Sequence, residues 1–375
     1  MFLEEYLEGI LDERLIEKFR ERVNDNYFVL HVYKNKEGKN KWNCICSAMD
    51  WISVSVHYLC SKRVLHITKD ENMNSIEVYT FLSCIDMLWE SIQQLHRVFY
   101  NTTDIPFIKE KMVFCNNQFS MDDNNFFKTV RACFGAHPVN LNDTFSGANK
   151  ERRFASWSGS FGRKEEFEFS VMLYASDESD QTILFDINFN QLWLFAEQRY
   201  NYLNHLIDLI EQQEREYIEE QRQIEIEKNN DPLKQIEILM EEVKKRSEND
   251  YYEEELNRLK ILFSADIKGE KNRRVVEKYR KLLKKELIEI YENVQNMTFN
   301  EIQWAEELSG DLPWKYHYCY SSVCECLFGG HKRPIGIESL DEYISEIFDV
   351  DLWETFDELY TLVETMKYLD KKSKK

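Results

Sequence analysis

Two residues six positions apart suggest the chemistry that this chain could perform. Arg131 and His137 enclose the run Ala-Cys-Phe-Gly-Ala, and a proline follows the histidine directly. An arginine keeps its charge at any working pH and can hold a phosphate through two parallel hydrogen bonds. A histidine titrates near neutral pH, so it can both accept and donate a proton. Because phosphodiester chemistry needs both functions, we predict that Arg131 and His137 are catalytic residues.

The segment that carries this pair is predicted to be helical. Residues 121–130 have the pattern of an N-capped amphipathic helix, which places Arg131 on a helix. On a straight helix, side chains six positions apart point roughly 120° away from each other. Gly135 permits a bend, and Pro138 disfavours the helical conformation of the residue before it. We therefore expect His137 at a helix end, where it can turn toward the arginine.

The Arg-x5-His pattern in this setting resembles the motif of the HEPN superfamily. Members of that family carry an arginine, four to six further residues and a histidine on the last part of a helix in a small bundle. Residues 41–58 and 74–100 resemble the two long helices before the motif, and 189–214 resemble the helix after it. The resemblance therefore covers roughly residues 40–215.

This resemblance implies a metal-independent endoribonuclease that uses no cofactor and works as a homodimer, with the two Arg/His pairs facing each other across a cleft. His137 would be the general acid/base, and Arg131 would hold the scissile phosphate. Such proteins are often bacterial toxins of toxin-antitoxin pairs or phage-defence effectors, which implies a regulatory protein partner. The residue after the arginine is usually polar in active members, whereas here it is Ala132. This departure favours the alternative, a non-catalytic HEPN-like interaction module that dimerises and binds a protein partner.

Further candidate site residues lie on both sides of the motif. The predicted substrate-binding residues are Lys150, Arg152, Arg153 and Trp157. The three cations would attract phosphate, and the indole would stack on an unpaired base. Asp86 and Glu90, four positions apart on one helix face, are candidates for orienting Arg131 or His137. The plainer alternatives are a solvated basic loop, an indole that closes a small sheet, and ordinary surface charge on a helix.

Composition limits the class of protein. The 375 residues include 68 acidic and 48 basic side chains, which gives a net charge of −20. This balance argues against a surface that grips nucleic acid everywhere, so RNA binding would need a local basic cleft. With 43% hydrophobic residues the chain can bury a sizeable core, and its 11 glycines and 5 prolines leave few turns. Long helices are favoured, and an all-β or Rossmann architecture is disfavoured.

The cysteines and the N-terminal sequence bear on the cellular compartment. Nine cysteines are scattered without a disulfide framework, which predicts a reducing compartment. The chain starts with acidic residues instead of a basic leader, and no apolar run approaches the roughly 18 residues of a membrane span. We therefore expect a cytoplasmic protein without membrane contact. The spacing of Cys319, Cys324, Cys326 and His331 matches no usual zinc site, so no metal is expected.

The predicted fold is mainly α, with a HEPN-like helical bundle, a small antiparallel β insertion and a C-terminal helical domain. The first domain spans 1–229, with an N-terminal helix over 2–23 and a β-meander near 152–188, and the second spans 230–375 and is charged and all-helical. The turn-forming run Asn-Asn-Asp-Pro marks the boundary between the two domains. A strand is expected over 27–33. Helices are expected over 42–61, 73–100, 189–226, 233–247, 250–264, 270–294 and 338–369.

The second half is electrostatically divided. Residues 271–285 are rich in lysine and arginine, whereas residues 341–358 hold eight carboxylates and no cation. The two segments are expected to pair or to form solvated faces. A sharper hypothesis is that the basic helix contacts nucleic acid and that the acidic segment covers it in the idle protein.

Overall fold

The computed structural model divides the chain into two compact units, Met1–Glu214 and Arg215–Lys375. It describes residues 11–61, 69–117, 119–136, 153–159, 168–176, 181–329 and 336–374. The division falls inside one long helix, earlier than the expected boundary at 229 and 230. The second unit begins there because side chains after Glu214 are bonded within it: the Tyr217 hydroxyl donates to the Arg246 carbonyl at 3.1 Å.

The first unit is a helical bundle with one small sheet. Its helices are α1 (Arg14–Asn24), α2 (Phe28–Tyr33), α3 (Lys41–Ser61), α4 (Glu71–Tyr100), α5 (Asp123–Arg131) and α6 (Phe189–Gln223), which continues into the second unit. The long helices α3 and α4 pack against each other. In α4, Asp70 caps the first turn by accepting from the Asn72 and Met73 amides. Buried residues then recur every three or four positions, as in Ile85, Leu88 and Ile92.

The segment predicted as a strand over 27–33 is helical. Its aromatic and β-branched residues favour a strand by local propensity. In the structure Phe28, Val29 and Tyr33 are buried on one side of α2, and the Tyr33 hydroxyl donates to Gln213 on α6 at 2.9 Å. Tertiary packing therefore overrides the local preference.

The β insertion is a three-stranded antiparallel meander in the order β1-β2-β3. Its strands are β1 (Arg153–Ala155), β2 (Glu168–Ala175) and β3 (Ile183–Asn188). Val171 lies opposite Phe185, and both side chains are fully buried. One face of the sheet therefore faces the core, as the alternation in the sequence predicts.

The second unit is all-helical in its described part. Its helices are α7 (Pro232–Arg246), α8 (Asp250–Ser264), α9 (Glu270–Gln295), α10 (Gln303–Leu308), α11 (His317–Phe328), α12 (Glu338–Ile344) and α13 (Phe356–Lys374). Its core consists mainly of apolar side chains, including fully buried leucines from several helices such as Leu239, Leu259 and Leu362.

The single helix predicted over 338–369 is wrong, because α12 ends at Ile344 and α13 begins at Phe356. The Asn272 amide bonds both backbone groups of Asp349, at 2.9 and 3.0 Å. These bonds hold the intervening segment in an extended conformation at Asp349. A long-range contact of this kind leaves no mark in the local sequence.

The predicted fold class is confirmed: the protein is mainly α, with helical packing and a small antiparallel β insertion. Among the helices in the described part of the chain, none is both long and apolar enough to span a membrane.

Candidate functional site

Arg131 is the last residue of α5, and the local sequence explains this position. The Asp122 carboxylate caps the helix by accepting from the Asn125 amide at 2.9 Å. Phe126 and Phe127 are buried on the inner side of the helix, one turn before the arginine. The capped start and the buried aromatic side fix how α5 presents Arg131.

The backbone after Arg131 does not continue as a regular α-helix. Residues Ala132–Ala136 form a π-helical turn, a wider turn that often occurs at functional sites. Phe134 is buried there, with its ring 5.5 Å from that of Phe185 on β3. A Cβ atom added to Gly135 would lie 2.5 Å from Cδ2 of Tyr79 on α4. Gly135 therefore allows close contact with α4, in addition to the change of helix geometry expected from the sequence.

Arg131 is ion-paired with Asp86 on α4. Its Nε lies 2.8 Å from Oδ2 of Asp86, and the arginine side chain is 46% exposed whereas the aspartate side chain is 16% exposed. A mostly buried carboxylate thus holds one edge of a guanidinium that remains accessible to solvent. Of the two predicted orienting acids, Asp86 contacts the arginine, whereas Glu90 is exposed one turn further along α4.

Burial raises the pKa of Asp86, and the nearby Glu90 charge raises it further, while the Arg131 charge opposes both effects. The balance leaves the carboxyl easier to protonate than an ordinary aspartate. A protonated Asp86 would attract the guanidinium less strongly, so acid should loosen the hold on Arg131 before it affects solvent-exposed ion pairs.

The sequence did not single out Asp123, which ties α5 to the preceding loop. This carboxylate is fully buried and accepts from three consecutive backbone amides, those of Met112 and Val113 at 2.9 and 3.0 Å and that of Phe114 at 2.8 Å. Its own backbone amide donates to the Glu110 carbonyl at 2.7 Å. The acidic run at 122 and 123 signals a helix start, but it does not reveal that the second acid reaches across to a loop.

Arg199 on α6 is a second buried charged residue near this helix that the sequence did not indicate. Its guanidinium lies over the ring of Phe195, 3.7 Å from the ring centre, and donates to Asn124 at 2.9 Å. Burial lowers the pKa of Arg199 to about 10, while the charge of Asp123 opposes this shift. The arginine is therefore still charged at neutral pH and packs as part of the core beneath α5.

The predicted substrate-binding residues differ in their exposure to solvent. Trp157 is 59% exposed, as a stacking role requires. Arg153 is buried, and its Nη1 donates to the Gln181 carbonyl at 2.9 Å, so its guanidinium supports the sheet and is not presented to a substrate. Lys150 and Arg152 lie outside the described residues, as does His137.

The described residues contain no group of three or more histidine, cysteine or acidic side chains arranged to hold a metal ion. Cys319 on α11 is buried, and Cys324 and Cys326 are half-buried. His331, which completed that cysteine-rich run in the sequence, lies outside the described residues.

Comparison with known proteins does not assign the chain to a family. No family model, no curated protein and no solved structure matches it.

Proposed function

We propose that this protein is a metal-independent endoribonuclease of the HEPN type, with Arg131 as the phosphate-binding residue and His137 as the general acid/base. The observation that supports this most is the state of Arg131. It is charged and half-exposed, and it is held by the largely buried Asp86 at the end of a capped helix. A guanidinium that is both oriented and accessible is suited to bind a phosphate.

In this mechanism the ribose 2′-oxygen attacks the adjacent phosphorus, and the bond from phosphorus to the 5′-oxygen breaks. A base removes the 2′-hydroxyl proton, and an acid protonates the leaving 5′-oxygen. His137 supplies one of these transfers, while Arg131 stabilises the charge that builds on the phosphate oxygens. The products are a 2′,3′-cyclic phosphate and a 5′-hydroxyl.

The resemblance also suggests the biological setting. We propose a homodimer that brings two such sites together in the cytoplasm, with RNA as substrate and a regulatory protein partner. A toxin or phage-defence role fits an enzyme of this class, by analogy of sequence alone.

The experiment that tests the proposal compares wild type with Arg131→Ala and His137→Ala on mixed single-stranded and transfer RNA in EDTA. Wild type should produce 2′,3′-cyclic phosphate ends, and both variants should lose most of this activity. Arg97→Ala, in which an arginine on α4 is replaced, is the matched control and should cut like wild type. Equal cutting by wild type and both site variants would refute the assignment.

A second candidate function is favoured by one observation. Met73, Ile76 and Tyr79 lie three positions apart along α4, and all three are exposed. An apolar stripe beside the Arg131 segment suits a protein contact, as expected of a non-catalytic module that dimerises and binds a protein partner. Ala132 is consistent with it.

Light scattering on Ile76→Asp distinguishes the two candidates when it is combined with the cleavage assay. If the protein is an interaction module, Ile76→Asp should change its oligomeric state, and the wild type should never cut RNA. If it is a nuclease, RNA cleavage should depend on Arg131.

A further inference from the structure

The outer face of α9 in the second unit presents a row of lysines. Lys278, Lys281 and Lys284 follow each other at three-residue intervals and are all exposed. Lys285 extends the row and lies 4.5 Å from the ring centre of Trp304. We call Lys278, Lys281 and Lys284 the lysine row. Over the described part of the chain, no carboxylate lies within ion-pair distance of these three ammonium groups, although Glu277 beside them is paired with Arg280.

The acidic segment predicted to cover this helix contacts a different part of it. Lys271 lies 3.6 Å from Asp349, and the neighbouring Asn272 bonds the Asp349 backbone. Both contacts lie in the first turns of α9, more than one helical turn before Lys278. The lysine row thus keeps its charge facing solvent in a protein whose net charge is −20.

A pocket lies at the end of the lysine row. Its volume is about 490 Å³, a size typical of sites for small organic groups. Lys284 belongs both to the row and to the pocket, and the other lining side chains include Lys228, Asn230, Leu287, Ile288 and Tyr291. The pocket therefore combines apolar and aromatic walls with three amide side chains (Asn229, Asn230 and Gln235) and two cations, beside the acidic Glu292.

We propose that the lysine row and this pocket bind single-stranded RNA. The row would contact successive phosphates, because exposed lysines without acidic partners release counterions when they neutralise a nucleic-acid backbone. The pocket would hold one unpaired base between its apolar walls and hydrogen-bond the base edge through Asn230. A duplex could not deliver a base into the pocket, so the preference for single strands follows from its shape. The identity of the ligand as RNA depends on the proposed function, whereas the surface itself can be tested separately.

The test measures binding of a fluorescent twenty-nucleotide oligouridine by anisotropy across a range of KCl concentrations, in the full-length His137→Ala protein to prevent cleavage. Lys278→Gln, Lys281→Gln and Lys284→Gln are combined in one variant. For single strands each lost phosphate contact lowers the salt slope by about 0.7, so the triple variant should lose about 2. Relative to a 1 M reference, this slope change corresponds to about a hundredfold weaker binding at 0.1 M KCl.

The matched control replaces three other exposed lysines of the same unit, with the substitutions Lys244→Gln, Lys260→Gln and Lys372→Gln, and so makes the same change of net charge. It should bind like the parent. Equal weakening in both triple variants, or no weakening in either, would overturn the proposal.

The pocket is tested by Ile288→Glu, with Ile224→Glu as the control at another exposed isoleucine of the unit. The first should weaken binding about tenfold, the loss expected for one stacked base, and the second should not. Competition by an RNA duplex of equal length as strong as that by the single strand would refute the role of the pocket. If wild type binds RNA through the lysine row but never cuts it, the proposed nuclease function fails while this binding surface stands.

Discussion

Replacing Asp123 by asparagine tests whether one buried carboxylate holds the site helix in place. Two of the three amides that donate to Asp123 meet Oδ2, and the third meets Oδ1. Asparagine keeps one oxygen and puts an NH2 group where the other oxygen was. At least one buried amide would then face a donor instead of an acceptor.

The loss of stability expected for Asp123→Asn follows from these hydrogen bonds. A hydrogen bond to a charged acceptor contributes about 1.5–3 kcal/mol, and a buried donor left unsatisfied costs about 1–3 kcal/mol. We expect Asp123→Asn to destabilise the first unit by about 2–4 kcal/mol. In a unit of this size such a loss lowers the melting temperature by about 5–15 °C.

Hydrogen exchange read by mass spectrometry locates the effect. The amides of Met112, Val113 and Phe114 should exchange about 30- to 1,000-fold faster in the variant. A stability loss of about 2–4 kcal/mol raises the population of the open, exchange-competent state by this factor. Arg131 sits on the helix that this carboxylate anchors, so RNA cleavage should fall as well.

Asp122→Asn is the control, because it makes the same charge change one residue earlier. Asp122 caps α5 from a half-buried position, and asparagine caps a helix as well as aspartate does. Its melting temperature and its exchange pattern should stay within error of wild type. Equal behaviour of the two variants, or unchanged exchange at residues 112–114 in Asp123→Asn, would refute the anchoring role.

Other consequences can be checked in the same unit. Gly135→Ala puts a Cβ 2.5 Å from the Tyr79 ring and should cost about 1–3 kcal/mol in urea unfolding, with part of the loss restored by Tyr79→Ala. Burial lowers the pKa of His96, and the charges of neighbouring cations lower it further. The folded state therefore resists a proton that the unfolded state accepts, so thermal stability should drop as pH falls below 6.5, and it should drop less in His96→Gln. Burial raises the pKa of Cys133 to about 12. Iodoacetamide at pH 8 should therefore label the exposed Cys115 and leave Cys133 unlabelled in peptide maps. Equal labelling of the two cysteines would contradict this burial.

The long helices and the meander were predictable because their signals are local. The ends of α3 and α4 lie within about two residues of the sequence-based bounds, since periodic apolar residues mark the buried side of each. Alternation in β2 and β3 likewise marked the face that meets the core. These patterns depend on the spacing of residues along one segment.

The helices that were predicted wrongly, or not predicted, have a different origin. α2 forms from strand-favouring residues because its buried side packs into the bundle, and the break between α12 and α13 depends on Asn272, far away in sequence. The short helices α10 and α11 were not predicted, since six and twelve residues give a weak periodic signal. Each of these features is decided by contacts between segments.

The site divides in the same way. The motif and its helix were visible in the sequence, and Asp86 was a candidate because it lies on a neighbouring predicted helix. The buried anchor Asp123 and the contact between Gly135 and Tyr79 could not be predicted, because each joins segments whose approach only the fold determines. Arg153 was predicted to bind substrate because it is a cation close to the motif in sequence, but the sheet buries it.

The assignment of Arg131 to phosphate chemistry is tested by cleavage of single-stranded RNA in EDTA by wild type and by Arg131→Ala, with the RNA ends identified by mass spectrometry. Both proteins should first be matched for folding by circular dichroism and for oligomeric state by light scattering. Wild type should leave 2′,3′-cyclic phosphate ends, and the variant should lose them almost completely. Cyclic ends formed equally by both proteins, or by neither, would contradict the assignment of Arg131 to phosphate chemistry.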